Sequence, residues 1–323
     1  MRPVDRLEVL VLVDNVTDSL STTPKFVIPE WSGLVAAGRM TTLSGEAICR
    51  AHHGLSLLLT AHVGDERHTL LIDAGPAGST LTQNAVILGV QWSEVEAVVL
   101  SHGHWDHGGG LLTALETIAL HRSPGKLDCF VHPGMFGQRA VQRPDGMLLV
   151  QERLPGPEQL AKAGSSVVNT REPQTAVGGV FYVSGEVPRV TPYEVGLPGH
   201  MRRSGDGRTW EPDPLIMDER FVSVQVKGKG QLVFSACSHA GIVNVLTHAQ
   251  QTFPSVPLYA AMGGLHLSGP TEKIIPETVA GLKRFGLTVL AAGHCTGWRA
   301  TSLLAREFPD ALVPTAVGKR YLF

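Results

Sequence analysis

Four side chains able to bind a metal ion fall within six positions of "SHGHWDHGGG": His102, His104, Asp106 and His107. Imidazole and carboxylate donors at this density suit zinc, manganese or iron. The apolar run "AVVLS" precedes them, and three glycines follow. If that run is a strand, His102 and His104 project to one side by its period of two and can reach one ion. The chain then turns, and Asp106 and His107 leave from the start of the next helix, toward a second ion. Gly108, Gly109 and Gly110 fit a sharp turn packed against a sheet, where side chains would obstruct close approach.

Three further polar clusters each follow an apolar strand and precede a helix. They are Cys237, Ser238 and His239 in "FSACSHAG", His266 in "AAMGGLHL", and His294 with Cys295 in "LAAGHCTG". In sheets flanked by helices, sites collect at the carboxyl ends of the strands, so all three belong on the rim that carries the first cluster. His294 and His239 read as ligands, and Cys237 and His266 as ligand or catalytic groups, although a strand-end histidine also occurs in structural roles. Asp73 closes the strand "LLIDAG" and can accept the second N–H of a ligating histidine, fixing its tautomer. A turn aspartate before Gly75 explains it almost as well. Asp14, Asn15 and His132 also end strands, where turns or packing serve equally.

The elements that must position these groups follow from the apolar pattern. "LEVLVLVDN" reads as a first strand, and "GLSLLLTAHV" with "HTLLIDAG" as a hairpin turning at "GDER". Residues 81–90 and "GLLTALETIALH" read as helices, and "AVVLSH" and "LDCFVHP" as buried strands. From about 134 to 220 proline and glycine are frequent, with strands at "SVVNT" and "GGVFYVSG". The stretch 190–215 is expected to be a lid-like or substrate loop, or a surface excursion. Thereafter strands ("FVSVQV", "QLVFSAC", "PLYAAM", "LTVLAAG", "ALVPTAVG") alternate with helices at 240–251, 275–285 and 298–307. One domain over 1–323 is expected.

Composition narrows the class. With 323 residues, 43% hydrophobic and 17% charged, and a formal charge of −2, the chain has the profile of a soluble globular protein with a sizeable core. It lacks the basic excess of a dedicated nucleic-acid binder. Cys49, Cys129, Cys237 and Cys295 lie far apart with no CxxC pair, which argues for reduced thiols in a cytoplasmic compartment. No apolar run approaches the roughly 20 residues that span a bilayer, and the N-terminus has no cleavage-site pattern. No membrane partner is expected. A homodimer is allowed, though no residue argues for it.

"HGHWDH" resembles the HxHxDH signature of the metallo-β-lactamase fold superfamily, and "LIDAG" its first motif. Together, "VDN", "HGLSLLL", "SHGHWDHGGG", "CSHAGIVN", "GGLHL" and "GHCTG" resemble a narrower branch, that of the 7,8-dihydropterin-6-methyl-4-(β-D-ribofuranosyl)aminobenzene-5'-phosphate synthase-like proteins. The resemblance implies an α/β (α+β) fold, a four-layer αββα sandwich with one or two metal ions at the edge between the sheets. It implies ligand roles for His102, His104, Asp106, His107 and His294, and a supporting role for Asp73. Two departures stand out. Where the superfamily has a histidine in a "PGH" turn, the like-placed turn here is "SGE", offering Glu186. Where it has a bridging aspartate, this chain has Cys237, and His239 can stand in for a missing ligand. His266 lies where related nucleases have a histidine that helps proton transfer, and His53 is read as near the site.

The chemistry expected is hydrolysis by metal-activated water, with Zn2+ as the ion and manganese or iron as alternatives. Asp106 would bind metal and orient the water, and His266 would protonate the leaving group. No GxSxG elbow offers a serine route, while a Cys237 thiolate would be a second nucleophile. A small-molecule ester, phosphoester, lactam or activated carbon–halogen bond is the expected substrate. The alternatives are a synthase or transferase acting on a phosphorylated pterin-type compound, with Arg202, Arg203 and Lys319–Arg320 as phosphate candidates, and an iron-dependent redox protein.

Overall fold

The computed structural model describes residues 1–123 and 125–323. Alternation along the strands sorts their side chains into two faces. In the first strand, Arg6–Val13, Leu7, Val9 and Val11 face one core while Leu10 and Leu12 face another. The same split recurs in Gly230–Ser235, with Leu232 and Phe234 on one side and Val233 on the other. A strand apolar on both faces must be covered on both, and this dictates the layers.

Among the described residues, an eight-stranded sheet runs in the order Val27–Ile28, Arg320–Leu322, Arg6–Val13, Ser56–Val63, Glu66–Ile72, Val95–Val99, Asp128–Val131, Ser166–Asn169. A six-stranded sheet runs Gln174–Ala176, Phe181–Val183, Val222–Val226, Gly230–Ser235, Leu258–Gly264, Val289–Gly293. Residues of both sheets share the central core, which includes Val9, Leu57, Leu70, Val224, Phe234 and Met262. Helices Gly78–Leu88 and Leu111–His121 cover the outer face of the first sheet, and Ile242–Thr252, Ile275–Leu282 and Trp298–Glu307 that of the second. The result is the αββα sandwich.

One strand expectation and one loop expectation change. "ALVPTAVG" contributes only an isolated bridge between Leu312 and Leu290, and the terminal strand is Arg320–Leu322, which pairs with Arg6–Val13 across the first sheet. The segment 190–215 is not a bare loop. It supplies His200–Arg203 and Trp210–Pro212 to a third, four-stranded sheet with Arg139–Gln142 and Leu148–Val150.

The parallel strands end on a common rim. Glu66–Ile72, Val95–Val99 and Asp128–Val131 pair in parallel, as do Gly230–Ser235, Leu258–Gly264 and Val289–Gly293. The turn that follows Val95–Val99 is bound to its neighbour: Ala74 N donates to His107 O at 2.8 Å and Gly110 N to Gly75 O at 3.1 Å. A side chain at Gly109 would strike Pro76 O, and one at Gly110 would strike Ala74 O. Close approach of two backbones explains these glycines. Gly110→Ala is expected to lower stability by about 1–3 kcal/mol, the usual cost of forced overpacking, as read by thermal or urea unfolding.

Candidate metal centre

Asp73 is fully buried at the end of Glu66–Ile72. Its Oδ1 accepts from Ser101 N at 2.7 Å, and its Oδ2 accepts from Ser101 Oγ and His107 Nδ1, each at 2.7 Å. A carboxylate here only accepts, so His107 holds its proton on Nδ1 and presents a lone pair at Nε2. Ser101 Oγ, having given its proton to Asp73, accepts from His102 Nδ1 at 2.9 Å, which leaves a lone pair on His102 Nε2. The tautomer of His294 is fixed from elsewhere. Its Nδ1 donates to Asn15 Oδ1 at 3.0 Å, and Gly54 N donates to the same oxygen, which settles the amide's orientation. Asp14 Oδ1 accepts the His294 N–H at 3.1 Å.

These assignments leave lone pairs facing one another. His107 Nε2 and His294 Nε2 are 3.1 Å apart, with Cys237 Sγ 3.2 Å from the former. Asp106 Oδ2 lies 3.4 Å from His294 Nε2 and 3.6 Å from His107 Nε2. Acceptors cannot satisfy acceptors, and the shared need is a cation. Burial opposes a proton on His294, yet Cys295 and Asp106 outweigh it and lift its pKa to about 10, so this pocket favours positive charge. Burial would also favour the acid form of Asp106, but His107, His294 and His53 hold its carboxyl well below the ordinary range.

A second group forms on the other side of Cys237. The donor atoms of His102, Cys237 and His239 lie within 4.8 Å of one another, as do those of His107, Cys237 and His294. Both nitrogens of His239 are buried without a hydrogen-bond partner. His104 Nδ1 is 3.0 Å from His102 Nε2. Burial first, then neighbouring charges, hold His102, His104 and His239 far below the ordinary histidine value, in the neutral form that ligation requires. Burial likewise pushes the Cys237 thiol well above its ordinary value, so a thiolate there needs a cation beside it. The donor set fits a divalent metal: His102, His104, His239 and Cys237 on one side, and Asp106, His107, His294 and the shared Cys237 on the other.

His266 lies two residues beyond Leu258–Gly264, with its ring centroid 4.3 Å from that of His239 and its Nδ1 buried without a partner. A water-sized cavity of about 20 Å³ lies against both rings. Asp73, Ser238, His266 and His294 adopt positive φ of 57°, 57°, 43° and 48°. For residues other than glycine this costs about 1–3 kcal/mol each and persists where surrounding structure imposes it. The accessible edge is built by His53, whose side chain is 56% exposed and whose Nε2 is 3.4 Å from Asp106 Oδ2, stacked on Trp105. Asn15 Nδ2 donates to His53 Nδ1 at 3.2 Å.

Some sequence candidates lie elsewhere. Glu186 Oε1 is bound to His132 Nε2 at 3.1 Å and to Arg171 at 3.2 Å, partners outside the ligand groups. Lys319 pairs with Asp18 at 2.9 Å and Arg320 with Glu8 at 3.0 Å. Sequence reading also missed two features. One is His200, buried, with Nε2 3.1 Å from His104 Nε2 and drawn down to about 4 by burial and then Arg139. The literal tripeptide "PGH" at 198–200 was the available signal. The other is the run 218–220, which binds the two sheets' rims together. Asp218 accepts from Gly103 N at 2.8 Å, Glu219 accepts from His239 N at 2.8 Å and Ala240 N at 2.6 Å, and Arg220 N donates to Ser101 O at 2.9 Å.

Comparisons with known proteins bear on the fold. A family model described as the Metallo-beta-lactamase superfamily matches residues 51–202, a span that holds Asp73 and the HxHxDH motif. A solved structure described as Tm1679, a metal-dependent hydrolase of the beta-lactamase superfamily, aligns with a TM-score of 0.69 at 20% identity, covering 97% of this chain and 98% of its own. Unliganded yeast PDE1 aligns at 0.54 and 10% identity over 100% of both chains. The chain has the metallo-β-lactamase fold. It is also similar to the 7,8-dihydropterin-6-methyl-4-(β-D-ribofuranosyl)-aminobenzene-5'-phosphate synthase of Methanocaldococcus jannaschii, 27% identical over 271 residues, 83% of this chain and 89% of that one. Among the described residues no helix is long and apolar enough to cross a membrane.

Asp73→Asn tests the tautomer logic. Asparagine's amide would set a donor against His107 Nδ1–H or strip Ser101 of an acceptor. Metal affinity measured by chelator competition is expected to fall about 10- to 100-fold, the range for lost partners of metal ligands.

Proposed function

We propose that the chain is a metal-dependent hydrolase acting on a small molecule through an ester, phosphoester, lactam or activated carbon–halogen bond. The observation that carries this reading is the meeting of two unsatisfied donor groups at Cys237, beside an edge where the exposed His53 meets the buried Asp106. A divalent ion held there, Zn2+ being the expected one, would supply a water that ionises near neutral pH and would polarise the bond under attack. Asp106, ionised and 10% exposed at its side chain, would help hold the ion and would orient the attacking water. His266, with an unpartnered nitrogen, donates the proton that the leaving group needs. Ordered imidazoles hold the rest still. The thiol route through Cys237 ranks lower, because burial disfavours a free thiolate and the sulfur already faces His107 at 3.2 Å. A cytoplasmic location belongs to the same proposal.

The second reading is a synthase or transferase step on a phosphorylated pterin-type compound. It draws on the 27% identity to the archaeal synthase. A cavity of about 680 Å³, lined by Arg139, Arg171, Arg202 and Arg203 together with Glu186, Asp213 and Asp218, offers room for a phosphorylated substrate and an arginine, Arg203, that is not paired with a carboxylate.

Elemental mass spectrometry of the purified chain is expected to find one or two zinc or manganese ions per chain. Iron would favour redox chemistry instead. His107→Ala is expected to remove the ion shared with His294 and to cut turnover of a confirmed substrate about a hundredfold or more, exceeding the loss typical of supporting residues. Full activity in that variant would sink the hydrolase mechanism.

A further inference from the structure

His200 belongs to the third sheet, where it pairs with Val141, and is 1% exposed. Two bonds to one residue seat it: its Nδ1 donates to Asp213 O at 2.7 Å, and Asp213 N donates to His200 O at 2.9 Å. A carbonyl oxygen only accepts, so His200 carries its proton on Nδ1 and turns a lone pair, at Nε2, toward His104. The contact is between the two Nε2 atoms, 3.1 Å apart. It is a hydrogen bond only if His104 donates from Nε2. A neutral imidazole has one proton, so His104 Nδ1 then holds the lone pair, 3.0 Å from the lone pair of His102 Nε2. With the proton on Nδ1 instead, the opposed acceptors would be those of the His104–His200 contact; each tautomer leaves one such costly pair, and a cation held between His102 and His104 relieves the first and not the second.

We propose that His200 is a positioning residue which the third sheet delivers to the metal centre, and that it fixes His104 in the tautomer whose Nδ1 pairs with His102 Nε2 to bind a divalent cation. His200 meets His104 at the nitrogen opposite the one turned to His102, and so supports the donor pair without joining it. The Pro/Gly-rich segment thereby helps build the site. The inference rests on the reading that a cation is held here.

The test uses the full chain, stripped of metal by a chelator and titrated with Co2+, followed by visible absorption and chelator competition. His200→Leu removes the acceptor, whereas His200→Gln keeps one in its amide oxygen. In the leucine variant one Co2+ is expected to bind about 10- to 100-fold more weakly with an altered ligand-field band, and glutamine is expected to restore both. Circular dichroism checks folding. If the leucine chain does not fold, His200→Asn, whose acceptor is too short to reach His104, replaces it and is read the same way. Wild-type binding and spectrum in the variant without an acceptor would overturn the proposal. So would equal damage in the glutamine variant, which would make His200 a ligand itself. If the wild-type chain takes up no Co2+, the metal reading falls, and this inference with it.

Discussion

Asp73 offers acceptors and no donor, and it is fully buried with three hydrogens directed at it from the next strand's end and turn. A buried carboxylate needs such pairing to exist at all. Its effect spreads because each donor has only one proton to give. His107 spends its proton on Asp73 and turns a lone pair inward. Ser101 spends its own and must accept from His102, which turns its lone pair inward as well. One charge placed behind the site therefore sets the polarity of two imidazoles in front of it.

The same economy of protons reaches the ligands of the opposite sheet. Asn15, held by Gly54, orients His294, and Glu219 takes two successive amides at the turn that carries Cys237 and His239. The run 218–220 binds both rims, with Asp218 and Arg220 on the first and Glu219 on the second. The site lies between two sheets, and these short polar spans fix their separation. Rigidity of this kind keeps neutral donors converged on a point where nothing else would satisfy them. At the edge the constraint relaxes, and His53 stands half exposed on Trp105.

A shared scaffold with divergent relatives is expected when chemistry resides in a site grafted on a fold. The αββα frame fixes where the donors meet. The segments between 134 and 220 build a third sheet and a cavity lined by both arginines and carboxylates. Cys237 gives the centre a further character of its own, since it is a soft donor common to both groups.

Much of this was determined by the sequence alone. The apolar alternation in Arg6–Val13 and Gly230–Ser235 requires two covered faces, and polar residues placed after apolar strands can only collect on the rim. HxHxDH, Asp73, Cys237, His239, His266 and His294 were identifiable because their signals are local: residue type, spacing and position at a strand end. Tertiary structure decided what depends on partners distant in the chain. The sequence left open whether Glu186 is a ligand, and in the fold His132 and Arg171 bind it. His200 looked like part of a loop, yet strand pairing with 139–142 carries it to His104, 96 positions away. No local pattern marks the run 218–220, because its carboxylates act on amides and its worth lies in the geometry of two turns. Which nitrogen of each imidazole keeps its proton also lay beyond the sequence, since a tautomer is settled by the acceptor that the fold brings to it.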